Sequence, residues 1–88
     1  MASYKVIFKP SVEKDLRSLP RSVVRRIFKR VDALKEEPFP RQSIKLAGAE
    51  QLYRVRIGDY RMIYGVDKED RQVIIHYVRH GRDVYRHL

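Results

Sequence analysis

The stretch LYRVRIGDYRMIY, residues 52–64, decides the fold because it has the pattern of a β-hairpin. Apolar and aromatic residues alternate on both sides of Gly58-Asp59, as they do in strands that have one buried face. A two-residue loop that begins with glycine favours a type II′ turn. Such a turn aligns the two strands so that Arg56 lies directly opposite Arg61.

Side chains two residues apart share a face of a sheet, so Arg54 is expected beside Arg56 and Arg61. We therefore predict a three-arginine patch on the face away from the helices. The opposite face of the hairpin is expected to be core and carries Tyr53, Val55, Ile57, Tyr60, Met62 and Tyr64.

Before the hairpin, residues 4–9 have the pattern of a first strand, and two helices are expected to follow. Ser11 is a candidate cap for the first helix. Pro20 suits the first turn of the second helix, which is expected to end at Pro38-Phe39-Pro40. The predicted buried stripe of this second helix is Val24, Ile27, Phe28, Val31 and Leu34.

After the second helix, residues 41–50 are expected to form a long loop. The predicted strands then span residues 52–57, 60–66 and 72–78, and a short helix is expected over residues 82–88. The fold class is α+β: an N-terminal strand, a helical hairpin and a three-stranded antiparallel meander, forming one sheet with the helices on one face. We expect a single domain over residues 1–88.

The composition restricts the partners. The chain has 20 Lys and Arg residues against 11 Asp and Glu, a net charge of +9. Such an excess favours a nucleic-acid partner, although a basic solvated surface is the alternative. The chain has no cysteine, no hydrophobic signal core and no membrane-length apolar run, so a cytoplasmic protein without membrane contact is expected.

The arginine patch suggests a chemistry. Like charges directly opposite in a sheet are destabilising, whereas the planar fork of arginine matches phosphate. The other interpretation is that the arginines solvate the strands and protect a sheet edge. Metal-independent RNA cleavage needs an activated 2′-hydroxyl, a stabilised phosphate and a protonated leaving oxygen. Arginines can supply the second of these. Tyr85 is a candidate base or else a packing residue, and no metal or cofactor motif is present.

Several motifs together resemble the RelE branch of the RelE/ParE toxin superfamily. They are Lys45-Leu46-Ala47-Gly48, residues 52–56 (LYRVR), residues 58–64 (GDYRMIY) and Asp83-Val84-Tyr85. The resemblance implies a ribosome-dependent endoribonuclease toxin that cuts mRNA in the A site by 2′-hydroxyl attack without a metal and inhibits translation. It also implies a cognate RelB-like antitoxin that forms a hetero-oligomer with the toxin.

The resemblance further implies site residues. By position, the catalytic set is Arg54, Arg56, Arg61, Arg82 and Tyr85, and the RNA-binding set is Arg54, Arg56, Arg61, Arg79 and His80. The sequence departs from the family pattern at His80-Gly81-Arg82, where glycine replaces a common arginine, so either Arg79 or Arg82 fills the late basic role. Arginine also stands at Arg54 and Arg56, where active relatives often have lysine.

Two other functions remain open. The superfamily also contains ParE-type toxins, which inhibit DNA gyrase by protein binding, and a catalytically degenerate member would bind only an antitoxin or nucleic acid. The second helix bears on its basic face Arg21, Arg25, Arg26, Lys29, Asp32 and Lys35. That face is either a solvated surface or a site for nucleic acid or antitoxin docking.

Overall fold

The computed structural model describes residues 3–41, 43–46 and 51–80. Its elements, in chain order, are β1 (Lys5–Phe8), α1 (Pro10–Arg17), α2 (Arg21–Glu36), β2 (Ile44–Lys45), β3 (Leu52–Ile57), β4 (Tyr60–Asp67) and β5 (Gln72–His80). The five strands form one sheet in the order β1-β5-β4-β3-β2. The first strand is parallel to β5, whereas the other neighbouring strands are antiparallel.

The predicted α+β architecture is confirmed, with an addition. The two residues of β2 lie inside the segment predicted to be a loop and pair with Tyr53 and Arg54 of β3. The run Val73-Ile74-Ile75 is apolar on both faces of the sheet, a pattern that predicts a central strand. In the structure β5 is an interior strand that pairs with β1 and β4, and β4 is the middle strand. The predicted helix over residues 82–88 lies outside the described residues.

The start of α1 differs from the prediction. The helix begins at Pro10, and its N-cap residue, Lys9, makes no side-chain capping hydrogen bond. Ser11 is therefore inside the helix, and its hydroxyl donates to the backbone carbonyl of His76, at 3.3 Å. This bond attaches α1 to the part of β5 that lies beyond its pairing with β1, which ends at Ile75. Proline suits the first helical position, because its fixed φ fits the helix and it lacks the N–H that would have no partner there, so the helix begins before Ser11.

One hydrophobic core joins both helices to one face of the sheet. Its fully buried residues include Val12 of α1, Ile27 and Leu34 of α2, and Val55 and Met62 of the hairpin. Tyr53 and Tyr60 pack against this cluster, as the alternation in residues 52–64 predicted. The prediction for Phe28 was wrong, since its side chain is 44% exposed; its ring instead contacts Phe8, with centroids 5.7 Å apart.

A β-bulge divides β5 into two parts. Tyr64 pairs with Ile75, but the preceding Ile63 pairs with Tyr77, so His76 has no partner in β4. An extra residue in one strand reverses which face each later side chain occupies. Val73 and Ile75 face the core before the bulge, and Val78 faces it afterwards. Consequently Tyr77 and Arg79 lie on the face away from the core.

Within the described residues, no helix is long and apolar enough to cross a membrane.

Candidate nucleic-acid interface

The β3–β4 hairpin has the predicted turn and register. Gly58 has a positive φ of +61°, whereas the φ of Asp59 is negative. A type II′ turn requires this combination of signs. Arg56 lies directly opposite Arg61. The glycine conformation thus fixes which arginines meet across the hairpin.

A third arginine joins this pair from β5. Arg61 is the register partner of Arg79 as well as of Arg56, so Arg56, Arg61 and Arg79 form one line across three neighbouring strands. We call these three residues the arginine row. Residues directly opposite in a sheet have Cβ atoms about 4.5–5.5 Å apart, so the row concentrates positive charge over a short distance.

Local contacts hold the row in place. Arg56 donates from Nε to the carbonyl of Gly58 at 2.9 Å, and Arg61 donates from Nη1 to the carbonyl of Tyr60 at 3.2 Å. Both bonds keep the guanidinium groups near the turn. Across the described ranges 3–41, 43–46 and 51–80, no carboxylate pairs with Arg56 or Arg61. The positive charge of these two residues is therefore not neutralised by a described acidic residue.

Arg79 is held differently. Its Nε lies 3.4 Å from Oδ2 of Asp15 on α1, and its guanidinium lies 5.7 Å from the ring centroid of Tyr77. The Arg79 side chain remains 44% exposed, whereas that of Asp15 is 18% exposed. One side of the Arg79 guanidinium is thus held by the protein, and the rest is open to a ligand.

A depression of about 610 Å³ accompanies the hairpin arginines. Its lining residues are Arg26, Ile44, Arg54, Arg56, Gly58 and Arg61. Arg54 enters it from the middle of β3, opposite Ile44 of β2. Four arginines around one depression form a site suited to a phosphate group, because each guanidinium can donate two parallel hydrogen bonds.

Three of these lining residues, Arg26, Ile44 and Gly58, were not among the predicted site residues, and Gly58 was predicted only as part of the turn. Arg26 was assigned only to the basic face of the second helix, and Ile44 lay in the predicted loop. Their proximity to the hairpin depends on how α2 and β2 pack, which local periodicity does not specify. The signal available in the sequence was the concentration of basic residues on α2.

His80 lies on a different face from the arginine row. Its register partner is Tyr60, and the two rings meet edge to face with centroids 5.6 Å apart. Because Tyr60 packs against the core cluster, alternation puts His80 on the opposite side of the sheet from Arg61 and Arg79. The predicted site residues Arg82 and Tyr85 lie outside the described residues.

Comparisons with known proteins agree with this architecture. Residues 6–85 match the model of a family described as the ParE toxin of type II toxin-antitoxin system, parDE. The chain is also similar to a protein of Methanocaldococcus jannaschii named as toxin RelE1. The two are 35% identical over 78 residues, which cover 85% of this chain and 87% of that protein.

Solved structures include similar chains. The RelE–RelB complex from Pyrococcus horikoshii OT3 contains a chain with 41% identity and a TM-score of 0.82, covering 91% of this chain and 98% of that one. The toxin-antitoxin complex RelBE2 from Mycobacterium tuberculosis contains one with 30% identity and a TM-score of 0.78, covering 89% and 98%. The chain therefore belongs to the ParE toxin family of type II toxin-antitoxin systems, and within the RelE/ParE superfamily it is a RelE-like toxin.

Proposed function

We propose that this toxin is a ribosome-dependent endoribonuclease that cuts mRNA in the A site and so inhibits translation. The observation that carries the proposal is the arginine row, in which Arg61 lies directly opposite both Arg56 and Arg79. Folding gains nothing from like charges in this arrangement, whereas a phosphate bound across them neutralises the repulsion.

The proposed reaction uses the RNA's own 2′-hydroxyl. The 2′-oxygen loses its proton and attacks the adjacent phosphorus, the bond from phosphorus to the 5′-oxygen breaks, and that oxygen takes up a proton. Negative charge on the phosphate oxygens grows in the transition state, and fixed cations stabilise it. Because the arginines provide this charge, the proposed mechanism needs no metal or cofactor.

We assign the roles as follows. Arg61 and Arg79 stabilise the transition-state phosphate, since they are opposite each other and Arg79 is half-exposed. Arg54 and Arg56 orient the phosphate from β3, and their positive charge supports the transfer of the 2′-hydroxyl proton to the base. Tyr85 is the proposed base. Arginine stays protonated at physiological pH, so the row acts on charge and the tyrosine acts on the proton.

Two further residues complete the proposed site. Arg82 is the other candidate for the late basic role. For His80 we propose RNA binding outside the arginine row, because its ring contacts Tyr60 on the other face of the sheet.

The proposed partner in the resting state is a RelB-like antitoxin, in a toxin–antitoxin hetero-oligomer. The support is that the similar chains from Pyrococcus horikoshii and Mycobacterium tuberculosis were solved as toxin–antitoxin complexes.

Because the proposed substrate is mRNA on the ribosome, the proposed place of action is the cytoplasm.

The decisive experiment adds the purified full-length chain to ribosomes programmed with a defined mRNA and maps the 5′ ends produced. We expect cuts within the A-site codon for the parent chain and cleavage that is about 10²-fold slower for Arg61→Gln. An intact messenger would contradict the proposal.

The description of the matched family as a ParE toxin supports a second candidate, inhibition of DNA gyrase by protein binding. Double-strand breaks on induction, with mRNA left intact, would favour that candidate. Growth indifferent to expression would instead indicate a module that only binds antitoxin or nucleic acid.

A further inference from the structure

Arg26 connects the depression beside the hairpin arginines to a second depression on α2. Its guanidinium rests on the hairpin turn, with Nη1 2.8 Å from the position that a Cβ on Gly58 would occupy. Arg26 lines the depression beside Arg54 and Arg61, and it also lines a second one of about 420 Å³ between α2 and β3. The two depressions therefore meet at Arg26, at the tip of the hairpin.

The second depression is strongly basic. It is lined by Arg26, Lys29, Arg30, Ala33 and Ile57, a set without a carboxylate. Among the parts of the chain that the structure describes, the three cations form no ion pair, and the pair recorded within α2 joins Lys35 to Asp32 near its other end. Three cations on adjacent turns of one helix repel one another, so the fold alone does not account for the grouping.

The N-terminal half of α2 also has basic residues without acidic residues to balance them. Its first turn contains no acidic residue, and Arg21 is its first residue. The positive end of the helix dipole favours negative charge, so arginines there work against helix stability. A bound polyanion would instead interact favourably both with these arginines and with the positive end of the helix dipole.

We propose that Arg26, Lys29 and Arg30, which we call the α2 cations, bind a second segment of RNA phosphate backbone next to the one on the arginine row. Arg26 is the shared residue, bordering both segments at Gly58. Besides the three cations, the lining of the second depression is apolar, Ala33 and Ile57, and it includes no amide, hydroxyl or carboxylate side chain. Binding is therefore independent of sequence and directed at phosphates.

The observations favour RNA over an acidic protein segment. The depression that the α2 cations line shares Arg26 with the depression beside Arg54, Arg56 and Arg61, so an RNA strand that crosses the hairpin tip at Gly58 can reach both. This inference rests on the proposed function for its ligand class. The backbone can come from the messenger beside the cut or from ribosomal RNA, and the experiment separates these sources.

The test compares the full-length parent with Arg26→Gln, with a Lys29→Gln and Arg30→Gln double variant, and with Lys35→Gln as the matched control. Lys35 is a cation on the same helix that is paired with Asp32, 3.2 Å away. Affinities for a single-stranded RNA oligonucleotide and for vacant ribosomes are measured over a range of salt concentrations.

The slope of log affinity against log salt should fall by about 0.7 for each phosphate of a single strand that a variant no longer neutralises. A reduced slope with the oligonucleotide assigns the segment to the messenger, and a reduction seen only with ribosomes assigns it to ribosomal RNA. Slopes equal to that of Lys35→Gln with both ligands would overturn the proposal. So would weakened antitoxin binding with both RNA slopes unchanged.

The same variants show whether the α2 site or the proposed endoribonuclease function is wrong. The Lys29→Gln and Arg30→Gln double variant is expected to cut a saturating programmed ribosome at close to the parent rate, since it retains the arginine row and Arg26. If the parent chain cuts no mRNA but the α2 variants lower the salt slope, the endoribonuclease assignment is wrong and the α2 site stands.

Discussion

Arg79 Nε lies 3.4 Å from Asp15 Oδ2, which joins the end of β5 to α1. That oxygen is buried and forms no hydrogen bond among the described residues, so the guanidinium of Arg79 is its main electrostatic partner there. Half-exposed ion pairs contribute about 0.2–1 kcal/mol to stability. The ion pair matters less for stability than for the position of the Arg79 side chain, which stands at the end of the arginine row.

We predict that Asp15→Asn slows mRNA cleavage by up to about fivefold, the factor that corresponds to about 1 kcal/mol. The change keeps the shape of the side chain but removes the charge that holds Arg79. Single-turnover cleavage on programmed ribosomes measures the effect. The control is Asp32→Asn, which breaks the remote pair with Lys35 and should leave cleavage unchanged. Equal rates for both variants would mean that Asp15 does not position Arg79.

For Arg61→Gln we expect opposite effects on activity and stability. Cleavage should fall by about 10²-fold, as when one donor to a transition-state oxyanion is removed. The free energy of unfolding should rise by up to about 1 kcal/mol, because Arg61 faces Arg56 and Arg79 and the substitution ends both repulsions. Urea denaturation measures the second effect. Arg17→Gln, at an exposed position in the last turn of α1, is the control; its charge is favourable at that helix end, so its removal should not raise the free energy of unfolding. A fall in both quantities would indicate a structural role for Arg61.

We predict that Tyr85→Phe lowers cleavage by about 10²–10⁴-fold, the usual contribution of a general base, while ribosome binding is retained. The substitution removes only the hydroxyl group, so a packing role for the ring would survive it. Cleavage mapping and ribosome co-sedimentation on the same preparation measure the two properties. Unchanged cleavage would assign Tyr85 to packing.

A fourth prediction concerns the attachment of the segment after α2. The hydroxyl of the fully buried Tyr64 donates to the carbonyl of Pro38 at 2.9 Å, and burial raises the pKa of this phenol, which keeps it protonated. Tyr64→Phe leaves that carbonyl without its partner, so the free energy of unfolding should fall by about 1–3 kcal/mol.

The matched control is Tyr53→Phe. The rings of Tyr53 and Tyr64 stack with centroids 5.7 Å apart, and the substitution keeps that contact. No hydrogen bond of the Tyr53 hydroxyl is recorded among the described residues, so urea denaturation should show little change. Equal losses for the two variants would argue against the role of the Pro38 carbonyl.

His76 gives the fold a pH dependence. Burial and the nearby charge of Lys9 lower the pKa of its imidazole below 6.5. The unfolded chain therefore takes up a proton at higher pH than the folded chain, and stability should decrease as the pH falls below 6.5. Above that value both states are neutral at this residue. Urea midpoints between about pH 7.5 and 5 should fall less for His76→Gln than for the parent. Identical curves would contradict the prediction.

The sequence predicted the parts of the fold that depend on local patterns. Alternation in residues 52–64 and the glycine-first turn determined the register of Arg56 with Arg61, which the structure confirms. The position of Arg79 was not predictable in this way. Counting back from the β4–β5 turn without a bulge pairs Arg79 with Tyr60, on the core side. The extra residue at His76 reverses that assignment, and no composition rule identifies it.

Arg26 was missed for a related reason. Its contact with Gly58 depends on how α2 crosses the hairpin, which is a property of the packed core. Helical periodicity gave the face on which Arg26 lies but not the strand that the face meets. The paired β2 was missed because two residues are too few to show a period.

The bulge at His76 makes the charge of the exposed sheet face depend on chain length as well as on residue identity. Deleting His76 would close the bulge and leave Arg79 opposite Arg61, because Tyr77 already pairs with Ile63. One residue inserted after Tyr77 would instead move Val78 opposite Arg61 and Arg79 opposite Tyr60, toward the core. Substitutions at the arginines test what each side chain does. A one-residue insertion after Tyr77 would remove Arg79 from the row while leaving every arginine in the sequence.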